Sequence, residues 1–330
     1  MKSSVSILFL LTLSLWSLAS EEDADGYSMI LKNVRKDVVQ QAYLQLPSRT
    51  TVNILRMCNL MGSVIEQFSL NDYEKVYLVY YWIAFNIERD CSYSGKYESA
   101  VTTYSEGKST HVGISALFST MVSNLGLRSN IIEGEAKRTV DDPKGKTIFG
   151  ELTHIWNYVM IGDKYYLFDP TFWIGSCIDD YYKPFYCDLY FGTKPEILIR
   201  SHFPDNSRWQ LLDDVVSKDK FESWPYVTKY FYLLGFKTFS PDTRNLQITK
   251  DLKITATYDN HETLKASCRM YIYEGSTGKF RTYNDCHLSD GIITVKFSGN
   301  EKMDGFIIYA GTKDAEENKS IVLYNVKNKQ

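Results

Sequence analysis

A surplus of positive charge, paired zinc-type cysteines, internal repeats and long apolar runs are all missing or scarce in this chain. Lys and Arg total 37 against 40 for Asp and Glu, a formal net charge of −3, and no basic run stands out. Without a surplus of cationic groups to displace counterions from phosphates, a generic nucleic-acid binder is not expected. No two cysteines stand in a C-x-x-C spacing, so a structural zinc site has no sequence support. Beyond the first 20 residues, no segment approaches the roughly 20 apolar residues needed to span a bilayer. What is abundant is core material. With 330 residues, 44% apolar and 15% aromatic, the composition supports packed globular structure and, at roughly 100–200 residues per domain, about two domains.

The first 20 residues are of a different kind. Lys2 precedes an apolar stretch over residues 5–19, with small residues at Ser17 and Ala19, and then the acidic run Glu21, Glu22, Asp23. A charged start, a short apolar centre and small residues near its end predict a secretory signal peptide over residues 1–20. The expected localisation is secreted and extracellular, with no membrane span in the mature chain. In an oxidising compartment the six cysteines, Cys58, Cys91, Cys177, Cys187, Cys268 and Cys286, are disulfide candidates. They allow about fifteen complete pairings. Proximity in sequence favours Cys177 with Cys187, Cys268 with Cys286 and Cys58 with Cys91. Asn318, in Asn318-Lys319-Ser320, is the glycosylation sequon.

Apolar periodicity predicts helices over residues 29–44 and 52–68, and a third capped by Asn71 or Asp72, in which Val76, Tyr80, Ile83 and Ile87 recur. Residues 93–108 read as a loop. A cleaner helix begins near Val112, with Ile114, Leu117, Phe118, Met121 and Leu125 on one face and Gly126 as its stop. Strands are expected over residues 130–134, 154–161 and 164–168, the last two joined by a tight turn at Gly162-Asp163. After Pro241, β-prone runs at residues 252–258, 265–273, 279–283, 292–297, 306–310 and 321–326 alternate with turn residues. That spacing predicts an immunoglobulin-like β-sandwich over residues 241–330.

Three groups carry possible chemistry. Residues 107–113 form a small-residue loop entering the helix near Val112, where free backbone N–H groups and the helix dipole favour an anionic nucleophile. His154 lies on one predicted strand and Asp169 at the end of the next, at even offsets from the turn, so both belong on one face. A strand histidine oriented by an aspartate is the base half of a triad. A cysteine at the helix start would complete it, but the residue there is His111.

Residues 73–235 resemble the transglutaminase-like domain of the kyphoscoliosis peptidase family. The resemblance rests on Trp82-Ile83-Ala84-Phe85-Asn86-Ile87, Gly134-Glu135-Ala136-Lys137, His154-x-Trp156-Asn157 and the run from Tyr166 to Phe172, which contains Asp169-Pro170-Thr171. His202-Phe203-Pro204, Trp209-Gln210-Leu211-Leu212 and Phe221-x-x-x-Pro225 follow in the family's order. It implies an α+β fold: a helical N-terminal segment over residues 21–70, a papain-like transglutaminase core over residues 71–240, and then the sandwich. It also implies His154 and Asp169 as a triad remnant, with Trp156, Asn157, Thr110 and Phe172 around the cleft. The family's nucleophile motif reads Gly-Val-Cys-x-Gly-Tyr; aligned on Gly113, this chain has His111 in place of the cysteine.

The expectation is a catalytically inactive relative that binds an extracellular protein or peptide, with no cofactor and no resident metal. The alternative is a divergent hydrolase or acyltransferase using His154 and Asp169, metal-assisted through His111. The aromatic cluster Tyr181, Tyr182, Phe185, Tyr186, Tyr190 and Phe191 is expected to be mostly core, any exposed part being an interaction patch. His202 is expected to be a satisfied structural histidine, as are His261 and His287.

Overall fold

The computed structural model describes residues 26–92, 98–138, 150–178, 181–247, 251–258, 269–274, 279–283, 286–289, 292–296, 304–311 and 319–326. The predicted signal peptide, the sequon asparagine Asn318, Cys268 and His261 lie outside these residues, and no side-chain surroundings are described for Cys286 or His287. The architecture mixes helix and sheet. Two compact units divide it: one of residues 27–136 and 151–215, the other chiefly of residues 137–150 and 216–330. No helix among the described residues is long and apolar enough to cross a membrane.

The first unit begins with α1 (Lys36–Tyr43) and α2 (Ile54–Gln67), inside the two helices expected there. Then comes α3 (Asp72–Asn86), its start fixed by a capping box in which Asn71 accepts from the Glu74 N–H and Glu74 accepts from the Asn71 N–H. Glu74 is fully buried, and its carboxylate also takes the Arg35 side chain and backbone N–H, docking the N-terminal segment onto α3. Residues 76–84 of α3 are all buried, as expected of a helix apolar on every side. Tyr80 meets Phe118, Phe168, Trp173 and Phe191 at ring-centroid distances of 4.7–6.0 Å.

Strand β1 (Glu88–Arg89) precedes the stretch expected to be a loop, which itself holds α4 (Ala100–Glu106) and, at its end, the start of β2 (Lys108–Ser109). Helix α4 has seven residues, too few for an apolar period to register. Reciprocal Ser99–Thr102 bonds start it and Gly107, at φ 70°, stops it. Helix α5 (His111–Asn124) buries Ile114, Leu117, Phe118, Met121 and Val122, and Gly126 follows its end at φ 88°.

Strands β3 (Arg128–Arg138), β4 (Gly150–Ile161) and β5 (Lys164–Phe168) come next, β4 and β5 closing at the predicted turn with Ile161 opposite Lys164. The short α6 (Pro170–Ile174) leads into the hairpin β6 (Gly175–Ile178) and β7 (Tyr181–Pro184). With β8 (Phe191–Thr193) and β9 (His202–Pro204), the main sheet has the order β8-β5-β4-β3-β9. Its β8 edge is lined by the N-terminal segment. The Met29 N–H donates to the Gly192 carbonyl at 2.8 Å, the Lys194 N–H to Tyr27 at 2.9 Å, and the Ser28 hydroxyl to the Phe191 carbonyl at 2.7 Å.

The second unit is strand-rich. Strands β10 (Tyr226–Val227), β11 (Phe236–Ser240), β12 (Asn245–Leu246), β13 (Asp251–Tyr258), β14 (Arg269–Glu274), β15 (Lys279–Tyr283), β16 (Cys286–Ser289), β17 (Ile292–Lys296), β18 (Gly305–Ala310) and β19 (Lys319–Val326) form two sheets. Their orders are β10-β19-β18-β14-β15, with β12 also on β19, and β11-β13-β17-β16. All six strands predicted after Pro241 are present among the described residues, five with both ends within two residues of the expected ones.

Candidate active site

Strand β4 presents His154 and Trp156 on one face and Asn157 on the other. Asn157 is fully buried, and its amide donates to the Ser115 carbonyl at 3.0 Å, so it ties α5 to the sheet rather than facing His154. Asn157 pairs with Phe168 in the β4–β5 register; continued by one residue, this sets position 169 beside 156 and on the face of 154. Asp169 ends β5 and caps α6, its Oδ1 accepting the Thr171 and Phe172 N–H groups at 2.8 and 2.9 Å. Its Oδ2 accepts from His154 Nε2 at 2.7 Å. The structure thus brings together the histidine and aspartate that the hairpin offsets paired.

A second imidazole reaches the same oxygen. His202 lies on β9, where it pairs with Ala136 of β3, and its Nε2 stands 2.9 Å from Asp169 Oδ2. Its Nδ1 is 2.8 Å from the Ser201 hydroxyl. His202 is a satisfied, buried histidine, as expected, but its partner is the site's own carboxylate. Sequence reasoning missed that because β9 is 33 residues away and on a strand it did not assign; the His202-Phe203-Pro204 motif was the available signal.

Burial disfavours the Asp169 carboxylate, but the charges and hydrogen bonds of His154 and His202 outweigh it and hold the group well below the usual carboxylate range. Burial pushes His202 the other way, toward its neutral form, against the pull of Asp169. Ligand atoms of His154, Asp169 and His202 lie within 4.8 Å of one another. Their Nε2–Oδ2 separations of 2.7 and 2.9 Å are those of N–H···O bonds, so the three act as a hydrogen-bonded network. His111, the residue on which the metal-assisted alternative depended, is not in that group.

His111 opens α5, its ring centroid 5.2 Å from that of His154. Burial first, then the neighbouring His154 and Arg89, push its pKa down to about 4, so it is a neutral imidazole at pH 7. Thr110 caps the helix through the Val112 N–H. The Glu98 carboxylate accepts the Thr110 N–H at 3.0 Å, the Gly113 N–H at 3.2 Å and the Thr110 hydroxyl. A chain carboxylate therefore already occupies donors at the positive end of this helix. Gly113 is required by space, since a Cβ there would stand 2.0 Å from Ser109 Oγ and 2.2 Å from Thr103 Oγ1.

Aromatic walls complete the surroundings of His154: Phe172 at 4.7 Å and Trp156 stacked at 6.2 Å between ring centroids. The Arg89 guanidinium lies 5.8 Å from the Phe172 ring centre and reaches the Gly175 carbonyl at 3.4 Å. Close by in sequence, Cys91 is bonded to Cys177. This corrects the proximity pairing, which put Cys91 with Cys58 and Cys177 with Cys187. Strand β1 runs beside the β6–β7 hairpin, so partners 86 residues apart in sequence meet. Cys58 and Cys187 are buried and outside the disulfide, and burial pushes the Cys58 thiol up to about 11, away from thiolate. In the aromatic cluster, Tyr190 and Phe191 are core, Tyr182, Phe185 and Tyr186 are half-buried, and Tyr181 is 75% exposed.

Residues 63–170, which contain α3, α5, His154 and Asp169, match the family model of the transglutaminase-like superfamily. This segment is a transglutaminase-like domain. The chain is similar to kyphoscoliosis peptidase of Mus musculus, 28% identical over 220 residues, covering 64% of this chain and 33% of that protein. The Homo sapiens kyphoscoliosis peptidase is 27% identical over 237 residues, covering 70% of this chain and 35% of its own length. Cytokinesis protein 3 of Schizosaccharomyces pombe is 28% identical over 151 residues, covering 46% and 17%. The chain spans about a third of the length of the two peptidases.

Proposed function

We propose that this is a secreted transglutaminase-like protein that has given up cysteine chemistry and acts by binding an extracellular protein or peptide. One observation carries the reading: the side chain facing His154 from the start of α5 is the neutral imidazole of His111, at 5.2 Å. Without a thiol at that position the base has no sulfur to deprotonate, and acyl-enzyme chemistry lacks its first bond. Glu98 adds support, since its carboxylate takes up N–H groups that would otherwise favour a thiolate or an oxyanion. On this reading the signal peptide is removed, Asn318 carries a glycan and the two sheets of the second unit are an immunoglobulin-like sandwich offering further binding surface.

The test compares the secreted chain with His111→Cys. The unaltered protein should neither form isopeptide bonds nor hydrolyse peptides, and should resist iodoacetamide at the cleft. His111→Cys should gain a thiol that alkylates faster than free cysteine near neutral pH, because His154 and Asp169 remain to accept its proton. Turnover by the unaltered chain that disappears in His154→Ala would overturn the reading. Stoichiometric zinc or iron lost together with such turnover in His111→Ala would establish the metal-assisted alternative.

A further inference from the structure

The geometry points to His202 as a positioning residue that shares, and so limits, the carboxylate on which His154 depends. Both imidazoles and Asp169 are buried, so solvent does not compete for their bonds. An ionised carboxylate only accepts, so each ring presents an Nε2 proton to it; Nδ1 of His202 stands 2.8 Å from the Ser201 hydroxyl on the far side of the ring. Asp169 is thereby gripped from three elements: His154 on β4 and His202 on β9 at Oδ2, and the start of α6 at Oδ1. The carboxylate cannot rotate without losing bonds at both oxygens, so His154 meets a partner fixed in direction.

The sharing has a second effect. Two N–H groups polarise one oxygen, and each draws off electron density that the other would use. Removing the His202 donor should therefore strengthen the His154 bond, whereas removing a residue that merely fills space should leave it as it was. Trp156 and Phe172 hold the His202 ring at centroid distances of 5.2 and 5.1 Å, so an aromatic replacement keeps that packing. The inference deepens the reading of this site as a retained base pair and rests on it only for the identity of the pair. The measurement below uses the resting protein, so it fails or succeeds whether or not the chain turns a substrate over.

The experiment reads the imidazole Nε2–H resonances of the nitrogen-labelled full chain. Two exchange-protected, downfield signals are expected, from His154 and His202. In His202→Phe the remaining His154 signal should move further downfield. In His202→Gln, whose amide N–H can reach the same oxygen, it should stay near its original position. An unmoved His154 signal in folded His202→Phe, or the same shift in the Phe and Gln variants, overturns the proposal. Should His202→Phe not fold, Ser201→Ala decides: loss of the contact at Nδ1 should shift the His202 signal and, through the shared oxygen, that of His154, and an unmoved His154 signal overturns the proposal.

Discussion

Replacing His111 by Gln should flatten the acid side of the stability profile. An ordinary histidine titrates near 6.5, but in the folded chain burial, His154 and Arg89 push His111 down to about 4, against a weaker upward pull from Asp169 and Glu98. Between these values the unfolded chain binds a proton that the folded chain refuses. The folded state is therefore unpenalised above about pH 6.5, loses stability as pH falls from there, and carries the full penalty below about pH 4. A shift of about 2.5 units corresponds to roughly 3 kcal/mol for a fully enclosed group. The ring of His111 is only half-buried, and solvent screening brings the expected penalty to about 1–2 kcal/mol. Urea unfolding of parent and variant at about pH 7 and about pH 4 isolates it, because His202, also shifted down, contributes alike to both proteins and cancels in the difference. Equal losses in the two proteins, or a His111 ring-proton titration with an ordinary midpoint, would refute the reasoning.

Asp169→Asn should cost about 3 kcal/mol of stability, because an amide N–H turned toward Oδ2's two imidazole donors leaves buried groups facing like groups; a denaturation midpoint matching the parent's would contradict this. Cys91→Ser opens a link across 86 residues, which by chain entropy corresponds to about 4.6 kcal/mol. Thermal unfolding without reductant reads the loss, and an unchanged midpoint would show that the link contributes nothing to stability.

The helices α2, α3 and α5 and the β4–β5 turn were legible because each repeats one signal over many residues: a 3.6-residue apolar period or a Gly-Asp break between alternating strands. Helix α4 was not, since its only marks are the Ser99–Thr102 cap and the Gly107 stop. In the site, local pairing was readable, as His154 and Asp169 belong to one hairpin. What came from distant chain was not. His202 arrives on an edge strand of three residues, Glu98 from ahead of α4, and Cys177 from a hairpin that no spacing rule connects to Cys91. Tertiary encounters of this kind leave no periodicity to read.

The docking of residues 27–29 on the β8 edge sets a schedule for biosynthesis. Ser28 must wait for Phe191, a separation of 163 residues, before its hydroxyl and the neighbouring backbone find partners. During synthesis at about 5–20 residues per second, that is a wait of roughly ten seconds or more, with Tyr27, Ile30 and Leu31 bare. All three end up buried. The earliest of the described residues to leave the ribosome are thus among the last to be sheltered, and until then the nascent chain offers an apolar, unpaired segment for a chaperone to hold.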